Sequence, residues 1–486
     1  MADVHTLELT RRAEICKLAA LLNVSPESLA PLGEASSADE LQRLRRRINK
    51  TLFDEKRDRF IRLERVTRML PAGYLARLAM HSFGPLLSAR VVAEMHPLRA
   101  RNIARHVTPA FVADVAPLID PEKVEQLIPR LPLDLVKETA LLLVERKDYV
   151  TMGRFGDALS AQQLRAVIGA IDDDTALLQT AFFIERREQL GRIVHNIDNA
   201  RIARIMRRGT EANMLPQALF IIDHVTDELK GRLADIMGEQ SEDTLNTLVS
   251  VAEEQRLWGP ILRGLSHIHP RYRRKIVNLP KVKDEQLLGD LVRAAYEEGL
   301  LAVALPLARV MRPDYKRVVA HAALKQGAEV AEAALEAAHS AGEWSTLLDL
   351  ARYADESERA LLATLRVLRR PEAMEALLEA LNSDAAADML LDVVGRMDED
   401  AQRTVAHILA AEGGALLEHL LDLAGGLHER WGTVACIIAQ LDGAALEDAG
   451  RVLRRRSDAE VAALRDGAKR EKIWNALAPQ LELATT

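Results

Sequence analysis

The sequence predicts an all-α protein: a right-handed α-solenoid built from helical repeats of about 40 residues, with an N-terminal helical arm. Three observations carry this expectation. From residue 72 onward nearly every window places apolar residues at i, i+3, i+4 and i+7, the helical period, and no alternating strand-like run occurs. Hydrophobic residues make up 48% of the 486 while aromatics are only 4%, so Ala, Leu, Val and Ile supply the core. Short segments also recur at a fixed spacing. Gly and Pro together number 43, too few for the frequent turns of a sandwich or barrel, which excludes an all-β fold.

Residues 1–71 form the arm. A short helix (8–22) and a turn rich in Pro, Ser and Gly (24–38) precede a helical run from Asp39 to Met69, about 46 Å long if unbroken. That run carries eleven Lys/Arg against six Asp/Glu, with Leu41, Leu44, Ile48, Leu52, Phe53, Phe60, Leu63 and Val66 interleaved; Leu41, Leu44, Ile48 and Leu52, continued by Phe60 and Leu63, form an apolar stripe. The stripe reads as a cap over the first repeats. The sharper alternative is that it pairs with a second chain as a homodimer through residues 39–69, or lies on an anionic surface.

Residues 72–255 form a first half with a period of 38–40. IDPEKVEQLI from Ile119, LSAQQLRAVI from Leu159 and IDNARIARIM from Ile197 superpose at spacings of 40 and 38, each with a capping residue ahead of its helix. Residues 256–486 form a second half with a period of 43: the segment from Met311 matches that from Met397 at 86 residues, with copies from Ala354 and Leu441. All four tryptophans lie in this half, at Trp258, Trp344, Trp431 and Trp474, with Leu301 and Ala387 on the vacant steps. They read as one structural position at the start of one helix in each unit.

On these repeats the chain resembles the HEAT/armadillo class of α-solenoids. The stretch MHPLRARNIARHVTPAFVADVAPLIDPEKVEQLIPRLPLDLV (95–136) also resembles the N-terminal helical superhelix of MgtE-type magnesium transporters, on its Asp-Pro-Glu helix starts. Both resemblances imply a fold. Neither implies an activity.

Chemistry is sparse. HExxH, GxxxxGK[ST], GxGxxG after a strand, GxSxG and CxxC are all missing, so no catalytic, cofactor-binding or metal-binding residue is expected and the protein is read as a non-enzyme. Cys16 and Cys436 lie in apolar helical runs, where a thiol acts as a small hydrophobe. Asp172, Asp173 and Asp174 sit where a helix begins and read as caps; His267 and His269 lack a third ligand; His321 and His407 share one repeat position and read as structural. The net charge of −7 argues against a surface devoted to nucleic acid, but local basic clusters stand out. Arg43, Arg45, Arg46, Arg47 and Lys50 form one, and Arg271, Arg273, Arg274 and Lys275 form another, extended by Lys281 and Lys283. Arg454, Arg455 and Arg456 form a third. Members of the first two clusters are the candidate partner- or anion-binding residues. The sequence has no basic stretch followed by an apolar one at its start and no run of 18 apolar residues, so no signal peptide and no transmembrane segment are expected, and the predicted compartment is the cytoplasm. The expected function is a non-enzymatic interaction scaffold or regulator that binds a protein or peptide on its superhelical surface. The alternative is a binder of nucleic acid or anionic membrane that uses the arm and the 271–283 cluster.

Overall fold

A computed structural model describes residues 4–54, 57–410, 415–424 and 430–481; the side chain of Phe53 lies outside the described residues. Helix accounts for 79% of the chain and no strand occurs among the described residues. No described helix is long and apolar enough to cross a membrane. The chain divides into two compact units, residues 1–269 and 270–486.

The first unit begins with α1 (Val4–Leu22), α2 (Ala30–Ala35), α3 (Ala38–Asp54) and α4 (Arg57–Thr67). It continues through α5 (Ala72–Leu78), α6 (Gly84–Ala93), α7 (Pro97–Ala104), α8 (Pro109–Val115), α9 (Pro121–Val124), α10 (Leu133–Glu145), α11 (Tyr149–Gly156) and α12 (Ala161–Ala170). It closes with α13 (Asp174–Phe182), α14 (Leu190–His195), α15 (Asn199–Glu211), α16 (Leu215–Asp223), α17 (Asp227–Gly238), α18 (Glu242–Glu254) and α19 (Trp258–Ser266). The starts follow from side-chain caps. Thr108, Asp120, Asp148, Ser160, Asp173, Asp198 and Ser241 each accept a backbone N–H of the helix they precede. Helices two apart lie side by side, as α8, α10 and α12 do, and again α11, α13, α15 and α17.

The far ends are satisfied from a distance. The carbonyls of Ile128 and Leu131 accept from the Gln163 amide at 2.9 and 3.2 Å. Those of Ile168 and Ile171 accept from the Arg201 guanidinium, and that of Ile197 from Arg232 at 2.8 Å. Arg99 likewise reaches the carbonyls of Thr67 and Arg68, and Arg154 that of Ile119. Each donor comes from about 30–35 residues downstream, so every such bond ties the end of one helix to a later layer.

The arm departs from a simple stripe. Leu41 is 1% exposed, whereas Leu44 and Leu52 are exposed. The inward face of α3 is Leu41, Arg45 and Ile48, because Arg45 has buried acidic partners. α1 pairs with α3 and also touches the turn 116–118, α11 and α16. Those contacts fall in segments some 35 to 65 residues apart, so α1, about 28 Å long, crosses several layers. α4 packs instead on α6, where Arg57 makes a two-pronged ion pair with Glu94 at 2.9 and 3.1 Å.

In the second unit Trp344, Trp431 and Trp474 are buried at the first residue of the helices Trp344–Ala351, Trp431–Ile438 and Trp474–Gln480. Trp258 holds the same place on α19 in the first unit. Leu301 also begins a helix, but Ala387 is interior to Asp384–Gly395, whose start is set three residues earlier by the Ser383 cap. Helices Trp431–Ile438 and Asp458–Arg470 meet backbone to backbone: a Cβ on Gly467 would lie 2.6 Å from the Gly432 nitrogen. The Trp431 indole N–H has no hydrogen-bond partner, so its value to the fold is volume. Trp431→Ala is therefore expected to lower stability by about 3–5 kcal/mol and Trp431→Phe by much less, measured by urea denaturation followed by circular dichroism.

Candidate functional site

α3 begins at Ala38 with Asp39 and Glu40 in its first turn, and Glu40 closes back on the Ser37 N–H at 2.9 Å. With that phase, Arg43, Arg46, Arg47 and Lys50, spaced three and four apart, share the outer face and are all exposed. The fifth member of the cluster is turned the other way: Arg45 is 6% exposed. Exposed Leu44 and Leu52 border the cations, and α4 adds exposed Arg59, Arg62, Arg65 and Val66, with Met69 just beyond it 90% exposed. Among the described residues, every strongly exposed large apolar side chain lies between Leu7 and Leu141. The outer face of α3 and α4 therefore combines cations with apolar side chains.

The second basic cluster is largely engaged. On the helix Pro270–Ile276, Tyr272 is buried and the Arg271 guanidinium stacks over its ring at 4.2 Å. Arg273 and Lys275 are half-buried and partnered, Arg274 is exposed, and Lys283 is paired with Asp314 at 2.8 Å. In the third, Arg456 pairs with Asp422 and Arg454 reaches the carbonyl of Leu481 at 2.9 Å, while Arg454 and Arg455 are both exposed.

Arg45 belongs to an interior charge network that pattern reading did not find. Its Nε donates to Glu14 at 2.9 Å and its Nη1 to Glu185 at 2.9 Å, while Lys17 Nζ donates to Glu14 at 3.0 Å. Burial alone would lower the pKa of Arg45, but the charges of Glu14 and Glu185 more than offset it and the value rises. Glu185 is the mirror case: burial pushes up, and Arg45 with Lys17 brings the net shift down. Arg154 lies nearby on α11, nearly enclosed, and burial lowers its pKa. Asp157, which ends α11, accepts the Arg186 backbone N–H at 2.8 Å through Oδ2, while its Oδ1 is buried without a partner; burial raises its pKa to about 6.

Also in the first unit is a cavity of about 340 Å³, lined by every α-helix from α5 to α17. Val91, Ile103, Val115, Leu143, Ile171 and Ile205 are typical of its wall. Among the described residues no charged side chain lines it, and Ser88, Thr139 and Thr180 are its only side-chain hydroxyls. Thr180 is directed at Met152 Sδ, 3.8 Å away, whereas Ser88 Oγ and Thr139 Oγ1 are buried without a hydrogen-bond partner.

The remaining candidates are accounted for locally. Asp173 accepts from the N–H groups of Thr175 and Ala176, and Asp174 is paired with Arg201 and Arg204. His267 and His269 are exposed, and the His269 backbone N–H donates to Asp235. The ligand atoms of His321, Asp355 and Glu358 come within 4.8 Å of one another. Asp355 and Glu358 form the capping box of the helix Glu356–Leu362, and His321 bonds Glu358 at 2.9 Å, so each group already has a structural role. No protein-family model matches the chain, and no curated protein matches it. The described geometry thus leaves two distinctive features, the cationic α3–α4 face and the apolar cavity.

Arg45→Ala is expected to destabilise by about 3–5 kcal/mol, because Glu14 and Glu185 would be left buried and without their shared cation. Asp157 acts oppositely. With its folded pKa raised to about 6 from 3.8, the native state holds its proton longer, so its contribution is fully present below pH 4 and is lost as pH rises to about 6. Asp157→Asn should therefore stabilise above pH 6 by about 1–2 kcal/mol, after allowance for solvent and Arg186, with the gain vanishing toward pH 4; thermal melts across pH 4–8 read this directly.

Proposed function

We propose that the protein is a non-enzymatic interaction scaffold, an α-solenoid of about 40-residue helical repeats that binds an acidic protein or peptide partner through the outer face of α3 and α4. One observation carries the reading. Arg43, Arg46, Arg47 and Lys50 share an exposed face with apolar Leu44 at its edge, while the one arginine of that run with an internal structural duty is turned away. Cations spaced at three and four residues steer an acidic partner, and the adjoining apolar side chains supply contact area that salt does not screen. The described chemistry fits binding: Asp355 and Glu358 cap a helix with His321 bonded to Glu358, and Glu14 and Glu185 serve an interior ion-pair network.

A second reading has its own support. Val66 is 67% and Met69 90% exposed beside Arg62 and Arg65, which is the composition of a segment lying on an anionic membrane surface.

The test is the combined Arg43→Glu, Arg46→Glu, Arg47→Glu and Lys50→Glu variant. These side chains are exposed, so the melting temperature should stay within a few degrees of wild type. Cross-linking and affinity capture from the native host should then lose the partner that the wild type retains, and retention by the wild type should weaken as salt rises. Equal capture by both proteins would reject the face. Flotation of the wild type with vesicles containing phosphatidylglycerol, but not with phosphatidylcholine alone, would replace the protein partner by a membrane.

A further inference from the structure

We propose that the acidic partner of the α3 face is a second copy of this chain, docked through its helix Pro371–Glu379. The inference rests on the α3 face being a binding site for an acidic partner, and names what fills it. Glu372, Glu375 and Glu379 are exposed on one side of that helix, spaced three and four residues apart. None of the three makes an ion pair among the described residues. Two cations just ahead of the helix are committed elsewhere: Arg369 pairs with Asp398 at 2.8 Å and Arg370 with Glu336. The opposite side of the helix, Ala373, Met374, Leu377 and Leu378, is buried in the core of the second unit, which fixes the acids outward.

The two charged rows match in spacing and length. Arg43, Arg47 and Lys50 are four and three residues apart, as are Glu379, Glu375 and Glu372 read backwards, and each row is about 10 Å long at 1.5 Å per residue. An antiparallel approach therefore brings all three pairs together and also opposes the two helix dipoles. Each row alone is a set of like charges at neighbouring helix positions, which repel one another, and pairing the rows relieves both. Between the acids lies half-buried Ala376, whose methyl group leaves room for long cationic side chains. At a net charge of −7 two copies repel on average, so contact is favoured where a cationic face meets an acidic one. Exposed ion pairs hold weakly, so the association is reversible and sensitive to salt. Because the two faces differ, the contact is heterologous.

Sedimentation equilibrium of the full chain tests this. At about 20 mM salt the wild-type mass should rise above that of the monomer as concentration approaches about 100 µM, and fall back at about 0.5 M salt. The combined Glu372→Lys, Glu375→Lys and Glu379→Lys variant should associate at least about tenfold more weakly, as should the combined reversal of Arg43, Arg46, Arg47 and Lys50 to Glu. Equimolar mixing of the two variants should restore association, because each supplies the intact face that the other lacks. Circular dichroism checks that both fold; if the lysine variant does not, Glu372→Gln, Glu375→Gln and Glu379→Gln combined carry the same test. Reversing the acidic helix leaves the α3 face intact, so capture of a different acidic protein from the host is unaffected by it. A wild type that stays monomeric at low salt while that variant still captures such a protein overturns the proposal and leaves the α3 reading standing. Association that survives reversal of the three glutamates, or a mixture that stays monomeric, also overturns it.

Discussion

A helix ends with carbonyls that have no partner within it, and a chain of many short helices multiplies that debt. Here much of it is met across layers. Gln163 shows the arrangement in one residue. Its Oε1 accepts the Ser160 N–H and closes the start of α12, while its Nε2 bonds the carbonyls that end the turn at 128–131. Arg201 and Arg232 repeat the reach at later layers. Tyr315 does the same in the second unit, where its hydroxyl donates to the carbonyls of Asn278 and Leu279. Each bond sets the distance from one helix end to a later layer, so the spacing of the stack rests on polar geometry as much as on apolar contact.

That dependence explains which parts of the fold were legible. Helical period, Asp and Ser caps and the places of the tryptophans are local signals, and the structure agrees with them at Asp120, Ser160, Asp173, Asp198 and Trp431. The orientation of Arg45 was not legible, because its partners Glu14 and Glu185 lie 31 and 140 residues away. A run of arginines looks like one surface until an acid across the fold claims a member. The close approach at Gly467 was equally hidden, since a glycine inside a helix reads only as weak propensity.

The candidate sites divide along the same line. The outer face of α3 could be drawn from spacing alone once one residue was removed from it. The cavity could not, because aliphatic residues at helical spacing look the same whether they meet another side chain or leave a gap. The hydroxyl residues Ser88, Thr139 and Thr180 on its wall are a weak sequence trace of it, since polar residues inside an apolar helix face have many causes.

The bond from Arg45 to Glu185 also bears on how the chain is made. At roughly 5–20 residues per second, α3 leaves the ribosome about 7–30 seconds before its partner exists. Throughout that interval the surface of α1 and α3 destined for the interior must wait in water. An apolar seam would invite aggregation during such a delay, whereas Glu14, Lys17 and Arg45 are well hydrated, and two of them are already within reach of one another on α1. At this junction Glu14, Lys17 and Arg45 stay hydrated until Glu185 arrives to complete the network.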